Sequence, residues 1–390
     1  MEYDQEEGDP MELMLMLLII LTATKLAGDL SVRLGQPSVL GKLIVGILLG
    51  PAALGWITEG HLITQMADVG VILLMFIAGL ETDMDQLKQN WKSAFAVAVG
   101  GIVLPFIGGY LGGLAFGLAS TQAMFIGLLL CATSVSISVQ TLKDMGQLST
   151  REGTTILGAA VVDDVLVVIM LAFMLSLLGG GEVNLAVVII KKLAFFAGAI
   201  IVGWWVVPYI MKWLAPLKVT EAIISAALIV CFLFSYAADY LGVAGIIGAF
   251  AAGIAISQTP FKHEVEDRIE PIAYAIFVPI FFVSVGLKVT FTGLGEYVWF
   301  IIAFSFIAVV TKLFGSGLGA RLTGFNHRSS LGIGAGMVSR GEVALIIATT
   351  GLAGGLFQEE YFTPLVLVVI ITTLITPPML KSIFGNRQLG

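Results

Sequence analysis

Charge is what this 390-residue chain has least of. Asp, Glu, Lys and Arg make up 12% of it, against 58% hydrophobic residues and a mean hydropathy of +0.99. That balance excludes an ordinary soluble domain and fits a polytopic membrane protein. The few basic residues form no patch, which excludes a nucleic-acid surface. Cysteine is nearly absent: Cys131 and Cys231 both fall in apolar segments and offer no disulfide framework or metal-ligand spacing. Three histidines, His61, His263 and His327, all fall in loops and read as solvated groups rather than pH sensors. No Gly-rich phosphate loop follows a strand pattern. The opening MEYDQEEGDP is acidic, unlike the basic start of a signal peptide. Glycine, by contrast, is plentiful at 46 residues, as expected where membrane helices approach closely or break.

About thirteen apolar segments are long enough, or nearly so, to cross roughly 30 Å of hydrocarbon. They lie near 12–33, 38–55, 62–81, 93–118, 121–143, 152–179, 184–213, 220–239, 242–257, 268–288, 296–321, 328–353 and 358–384. With alternate loops assigned to one side, fifteen Lys and Arg residues share that side, from Lys25 and Arg33 to Lys381 and Arg387. The other side has Lys288, with Lys191 and Lys192 slightly inside the seventh segment. The positive-inside rule then puts the C-terminus in the cytoplasm and the acidic N-terminus outside, in a plasma membrane.

The chain repeats itself at an offset of 207 residues. Gly41 and Gly46-Ile47 match Gly248 and Gly253-Ile254; Gly79-Leu80 matches Gly286-Leu287; Gly108, Leu111 and Gly112 match Gly315, Leu318 and Gly319; Gly127 matches Gly334. Two six-helix units separated by one extra helix enter the membrane from opposite sides, the inverted repeat of many secondary transporters. The register also places Thr133-Ser134 opposite Arg340-Gly341, inside CATSVSISVQ and GMVSRGEVAL. Both stretches predict helices that unwind in mid-span and cross, so the fold class expected is all-α, with two broken helices.

Five charged residues stand well inside spans: Asp163, Asp164, Lys312, Arg340 and Glu342. A carboxylate at bilayer depth costs roughly 2.5–3.5 kcal/mol on insertion scales, so such groups are read by default as ion or proton sites. Neighbouring residues on a helix point about 100° apart. One aspartate is therefore expected to pair with lysine while the other faces a cavity. Three negative and two positive charges leave one carboxylate without a permanent counter-ion, a vacancy for a cation or a proton. Arg340 and Glu342, two apart, are poorly placed for mutual pairing and are expected to offset the ends of the broken helices. Blander roles are expected elsewhere. Glu81, Asp83 and Asp85 should be solvated, Asp68 and Asp239 should be interfacial, with the lining of an entry funnel as the alternative, and Lys42 should snorkel from the start of its span.

The segments TSVSISVQ, GAAVVDDVLVVIM, VVTKLFGSGLGA and GMVSRGEVALIIA, with GQPSVLGKLIVGILLGP and FIAGLETD before them, resemble the bacterial monovalent cation/proton antiporters. Most similar is the thirteen-helix Nap and Ger type of sodium/proton antiporter; the Kef-type potassium efflux proteins are related. The resemblance implies that Asp164 binds cation and proton in competition. It implies that Asp163 pairs with Lys312 in a pH-sensitive salt bridge, that Thr133 and Ser134 lie beside the ion, and that Arg340 and Glu342 sit at the second break. It also implies a homodimer. In it a core (93–179 and 296–384) slides against a dimerisation domain (12–81 and 220–288), with helix 184–213 as linker, residues 1–11 outside and 385–390 as a cytoplasmic tail. No cofactor is implied beyond the transported Na+, Li+ or K+ and H+. Unlike Kef-type proteins, the chain shows no nucleotide-binding domain after its last segment.

An intramembrane aspartyl protease would also use two buried aspartates. It needs both carboxyls on one water, which adjacent residues of one helix cannot provide. A channel should show a filter ring or repeated carbonyl motif, and neither is visible. An acidic site also argues against an anionic cargo. The expectation is therefore a transporter rather than an enzyme: a Na+/H+ antiporter, with a K+/H+ efflux antiporter as the alternative.

Overall fold

A computed structural model describes residues 10–34, 36–58, 60–82, 84–177, 185–289, 294–353 and 358–385. Among them there are helices and no strands. The first unit contains α1 (Pro10–Arg33), α2 (Ser38–Leu49), α3 (His61–Glu81), α4 (Met84–Ala115), the pair α5 (Ser120–Cys131) and α6 (Val135–Asp144), and α7 (Arg151–Leu177). Next come α8 (Leu185–Ile201) and α9 (Val207–Leu214), joined through a π-turn. The second unit contains α10 (Ala222–Tyr240), α11 (Gly245–Ser257), α12 (Lys262–Ile272) and α13 (Val278–Leu287), α14 (Val298–Leu322), the pair α15 (His327–Gly336) and α16 (Glu342–Ala353), and α17 (Phe362–Phe384). Helix therefore occurs in every expected segment. Ten helical stretches are long and apolar enough to cross a membrane, while α2 and α11 are shorter apolar helices.

The seventh and tenth segments each contain a π-turn, Val202–Val206 and Ala273–Phe277, with Pro208 or Pro279 just after it. A proline has no N–H to donate, so the preceding turn widens to accommodate the lost bond.

The glycine repeat is a packing repeat. A β-carbon on Gly41 would lie 2.3 Å from the Ala27 carbonyl oxygen, and one on Gly248 would lie 2.2 Å from that of Phe234. Gly127 meets Phe106 O at 2.6 Å and Gly334 meets Leu313 O at 2.2 Å. In each case both partners are shifted by 207 residues. Contacts between the units are reciprocal: Gly46 faces Val283 O at 2.3 Å, while Gly253 faces Phe76 O at 2.1 Å. A residue of one unit meets the other unit just as its equivalent meets the first, the isologous pattern that a two-fold relation produces. Glycine is required at these places because backbones touch, the usual way membrane helices gain contact area.

The two expected breaks are both present. Helix α5 stops at Cys131, and Ala132 and Ser134 are extended before α6 begins. Helix α15 stops at Gly336, and α16 starts at Glu342. The freed backbone is satisfied where the stretches cross: Ser134 N donates to Ser339 O at 2.7 Å, Ser339 Oγ donates to Ser134 O at 2.8 Å, and Ser138 Oγ donates to Gly336 O. Non-helical backbone at membrane depth is tolerated only when covered by protein in this way.

Candidate functional site

The charged residues converge on this crossing from three helices. Lys312, on α14, and Asp163, on α7, are fully buried. Lys312 Nζ donates to Asp163 Oδ1 at 3.0 Å, to Gly101 O of α4 at 2.8 Å and to Cys131 O. All three ammonium protons are thereby used, and one of them caps the C-terminal end of the half-helix α5. Space for this chain comes from Gly101, where a β-carbon would lie 2.3 Å from Ser316 Oγ and 3.4 Å from Lys312 Cε.

Arg340 is also fully buried. One terminal nitrogen donates to Leu130 O at 2.7 Å and to Ala308 O at 3.0 Å, and the other donates to Val338 O. Leu130 lies in the last turn of α5, and Val338 lies just after α15. The guanidinium thus binds carbonyls at the C-terminal ends of both half-helices, where partial negative charge collects. Arg340 O accepts from Thr373 Oγ1 of α17 at 2.6 Å. Glu342 opens α16, but its side chain lies outside the described residues.

Asp164 is 3% exposed. Thr133 and Ser134, also buried, occupy the α5–α6 break. The Thr133 hydroxyl neighbours the Asp163 carboxylate, yet neither it nor Asp163 Oδ2 makes a hydrogen bond of proper geometry. The Thr133 hydroxyl and Asp163 Oδ2, buried beside the second carboxylate, are hard oxygen ligands of the kind a small cation takes. Thr133, Ser134 and Arg340 line one end of a cavity of about 130 Å³, shared with Asp68, Ser284, Lys288 and Thr373.

Asp68 lines that cavity, the alternative role left open for it. Several expectations need correcting. Glu81 is not solvated: it bonds Lys143 of α6, which also reaches Glu270 Oε1 of α12 at 3.1 Å. Asp83 lies outside the described residues. Lys42 does not snorkel; it is buried, with its ammonium 5.8 Å from the centre of the Phe282 ring. Lys192 was placed at the outer margin, and the charge count omitted it. In the structure it is 3% exposed and its ammonium donates to Gly242 O at 2.7 Å. How far a lysine stem carries its charge along a helix is not encoded in the residue's position, so the count of five missed a sixth.

A larger cavity of about 720 Å³ runs between α4, α7, α8 and α11. Its walls include Trp91, Val161, Val162, Phe196, Ala199, Trp204, Phe250 and Ile254, with Lys88 and Gln258 as polar groups. The Lys88 ammonium stands 5.3 Å from the centre of the Trp204 ring.

Two interrupted helices crossing beside buried charges, in units related by a two-fold, define an inverted-repeat membrane transporter. Comparison with known proteins is more particular. The family model described as "Sodium/hydrogen exchanger, transmembrane" matches residues 16–384, so the chain belongs to that family. It is 65% identical to the Na(+)/H(+)-K(+) antiporter GerN of Bacillus cereus over 97% of each chain. It is 45% identical to a Na(+)/H(+) antiporter of Enterococcus hirae, over 95% of this chain and 98% of that one. Among solved structures, the sodium proton antiporter MjNhaP1 from Methanocaldococcus jannaschii superposes with a TM-score of 0.75, covering 97% of each chain at 16% identity. That likeness shows the fold.

Proposed function

We propose that this protein exchanges Na+ for H+ across a membrane, with Asp164 as the group that either ligand occupies. The observation that carries the reading is the buried Lys312–Asp163 pair at the α5–α6 break, which leaves Asp164, the next residue of α7, to a different partner. Sodium would take oxygens from Asp164 and Thr133, and a proton would take the same carboxylate. Loading by one excludes the other. An empty anionic site crosses the barrier poorly because an uncompensated charge in hydrocarbon is costly, whereas either ligand lowers that cost. Exchange rather than leak follows. The names of these relatives support Na+ as cargo; K+ stands beside it in the name of GerN.

The same reading assigns thirteen crossings, with the N-terminus outside and the C-terminus in the cytoplasm. It assigns α4–α7 and α14–α17 to a moving core. The remaining helices of each unit form a dimerisation domain in a homodimer, and α8–α9 serve as linker. Exposed Trp204, Trp205, Tyr209 and Trp213 on the linker, and Trp299 on α14, support apolar surroundings for these faces.

The test is purified protein in proteoliposomes, with proton movement recorded as Na+, Li+ or K+ is added separately. Wild type is expected to move protons on addition of Na+, and Asp164→Asn to abolish that response. Exchange retained by Asp164→Asn would overturn the assignment.

A further inference from the structure

The large cavity between α4, α7, α8 and α11 has no part in the proposed exchange. Its lining side chains are apolar apart from Lys88 and Gln258, so it offers a cation no carboxylate or hydroxyl. The cavity follows one face of α11, through Ile247, Phe250, Ile254 and the C-cap residue Gln258. At 1.5 Å per residue that face is about 16 Å long, half of a hydrocarbon core of roughly 30 Å. Its depth is therefore that of one bilayer leaflet. Its volume of about 720 Å³ falls among pockets that enclose small ligands, about 300–1,000 Å³.

The end of the cavity that holds Lys88 and Gln258 also has a basic rim. Lys88 is exposed, with its ammonium over the Trp204 ring. Lys92, one turn later on α4, is exposed too, with its ammonium 5.8 Å from the centre of the Trp91 ring. Both tryptophans line the cavity and are themselves exposed. Lys212 follows the lining residue Pro208 by one turn of α9. Against these lysines, α4, α9 and α11 contain one acidic residue, Asp85. The π-turn Val202–Val206 shapes this mouth. Gly203 is buried there, with an added β-carbon 3.2 Å from Ala255 Cβ, while Trp204 beside it is exposed. Phe95 and Ile200 add exposed apolar surface to the rim. In a membrane that rim meets hydrocarbon. An apolar cavity excludes water, and one open to hydrocarbon is filled by chain.

We propose that this cavity holds an acyl chain of an anionic phospholipid, drawn from the leaflet at the Lys88 end, with the lipid phosphate on Lys88 and Lys92. Tryptophan rings suit the boundary between chain and headgroup, and clustered lysines attract anionic headgroups. Under the orientation proposed above, this is the cytoplasmic leaflet. Two walls of the cavity, α4 and α7, belong to the proposed moving core; the others, α8–α9 and α11, belong to the proposed linker and dimerisation domain. The chain thus lies between parts assigned to slide past each other.

Native mass spectrometry of the full chain, stripped of lipid in mild detergent, tests this by titration with phosphatidylglycerol or phosphatidylcholine of matched chains. Wild type is expected to hold phosphatidylglycerol the more tightly. Lys88→Gln combined with Lys92→Gln is expected to weaken that binding about thirtyfold, the scale of two lysines beside an anionic headgroup, and to leave phosphatidylcholine unchanged. Lys191→Gln, at an exposed lysine outside the cavity lining, should alter neither. Ala199→Trp fills the cavity and is expected to weaken both lipids. Should it fail to fold, as judged by unfolding temperature, Ala199→Leu carries the test. Equal affinity of wild type for the two lipids overturns the proposal. So does binding that survives filling, which would mean headgroups adhering to surface lysines alone. Loss of a dimer on filling, with lipid binding unchanged, assigns the cavity to a second copy of the chain and overturns it as well. Binding is read without transport, so failure of the proposed Na+/H+ exchange leaves this result standing, and the reverse holds too.

Discussion

The fully buried cations of this protein are also helix caps. Arg340 and Lys312 bind carbonyls at the end of α5, and Arg340 binds Val338 O just after α15. Each broken helix leaves C-terminal carbonyls without an internal partner, and at membrane depth no bulk water replaces one. Arg340→Ala is therefore expected to lower stability by about 3 kcal/mol, because several buried acceptors lose their donors together. Thermal unfolding of the detergent-solubilised protein measures this. Unchanged unfolding would mean that the crossing is held by the Ser134–Ser339 and Ser138–Gly336 bonds without Arg340. At this scale much was legible in the sequence: Asp163, Lys312 and Arg340 stand out because charge is otherwise missing from those spans. Lys192 was not legible, because four methylenes and a backbone turn decide where its ammonium ends.

Among elements, the glycine positions determine how closely helices pack. Gly253 on α11 has the Phe76 carbonyl of α3 2.1 Å from where a β-carbon would stand. That atom is backbone and cannot rotate away, so Gly253→Ala must separate the two helices. The expected loss is about 1–3 kcal/mol or more, read as a lowered unfolding temperature. Gly198 on α8 has nothing within 4 Å of its added carbon, and Gly198→Ala should stay within about 0.5 kcal/mol of wild type. Equal losses in both variants would show that close backbone contact does not govern glycine here, since helix propensity alone favours alanine. The 207-residue offset was readable because these contacts recur. Their partners were not, since the atoms that glycine approaches are carbonyls carried by any residue type.

For the whole molecule, contacts join the proposed core to the proposed dimerisation domain at the end where α6 meets α2, α3 and α12. Asp144 Oδ2 of α6 accepts from Ser38 N at 2.8 Å and from Ser38 Oγ at 2.6 Å, at the start of α2. Lys143 bridges Glu81 and Glu270 beside them. If the core slides during transport, these bonds must break in each cycle. Ser38→Cys with Asp144→Cys, oxidised to a disulfide, is expected to stop exchange, and reductant to restore it. Native Cys131 and Cys231 are buried, which limits unwanted pairing. Full exchange by the cross-linked protein would rule out relative motion of α2 and α6.

The sequence alone determined the membrane class, the inverted repeat, the two breaks and the identity of most of the charged site. Each follows from composition or periodicity, because hydrocarbon penalises charge and unpaired backbone strongly enough to leave a visible pattern. Only the tertiary structure decided which carbonyls Arg340 and Lys312 cap, that Glu81 meets Lys143, that Asp68 lines a cavity, and that Lys192 binds Gly242 O. Those pairings join residues far apart in the chain. They depend on where side chains end in space, which the distribution of apolar and charged residues along a span does not specify.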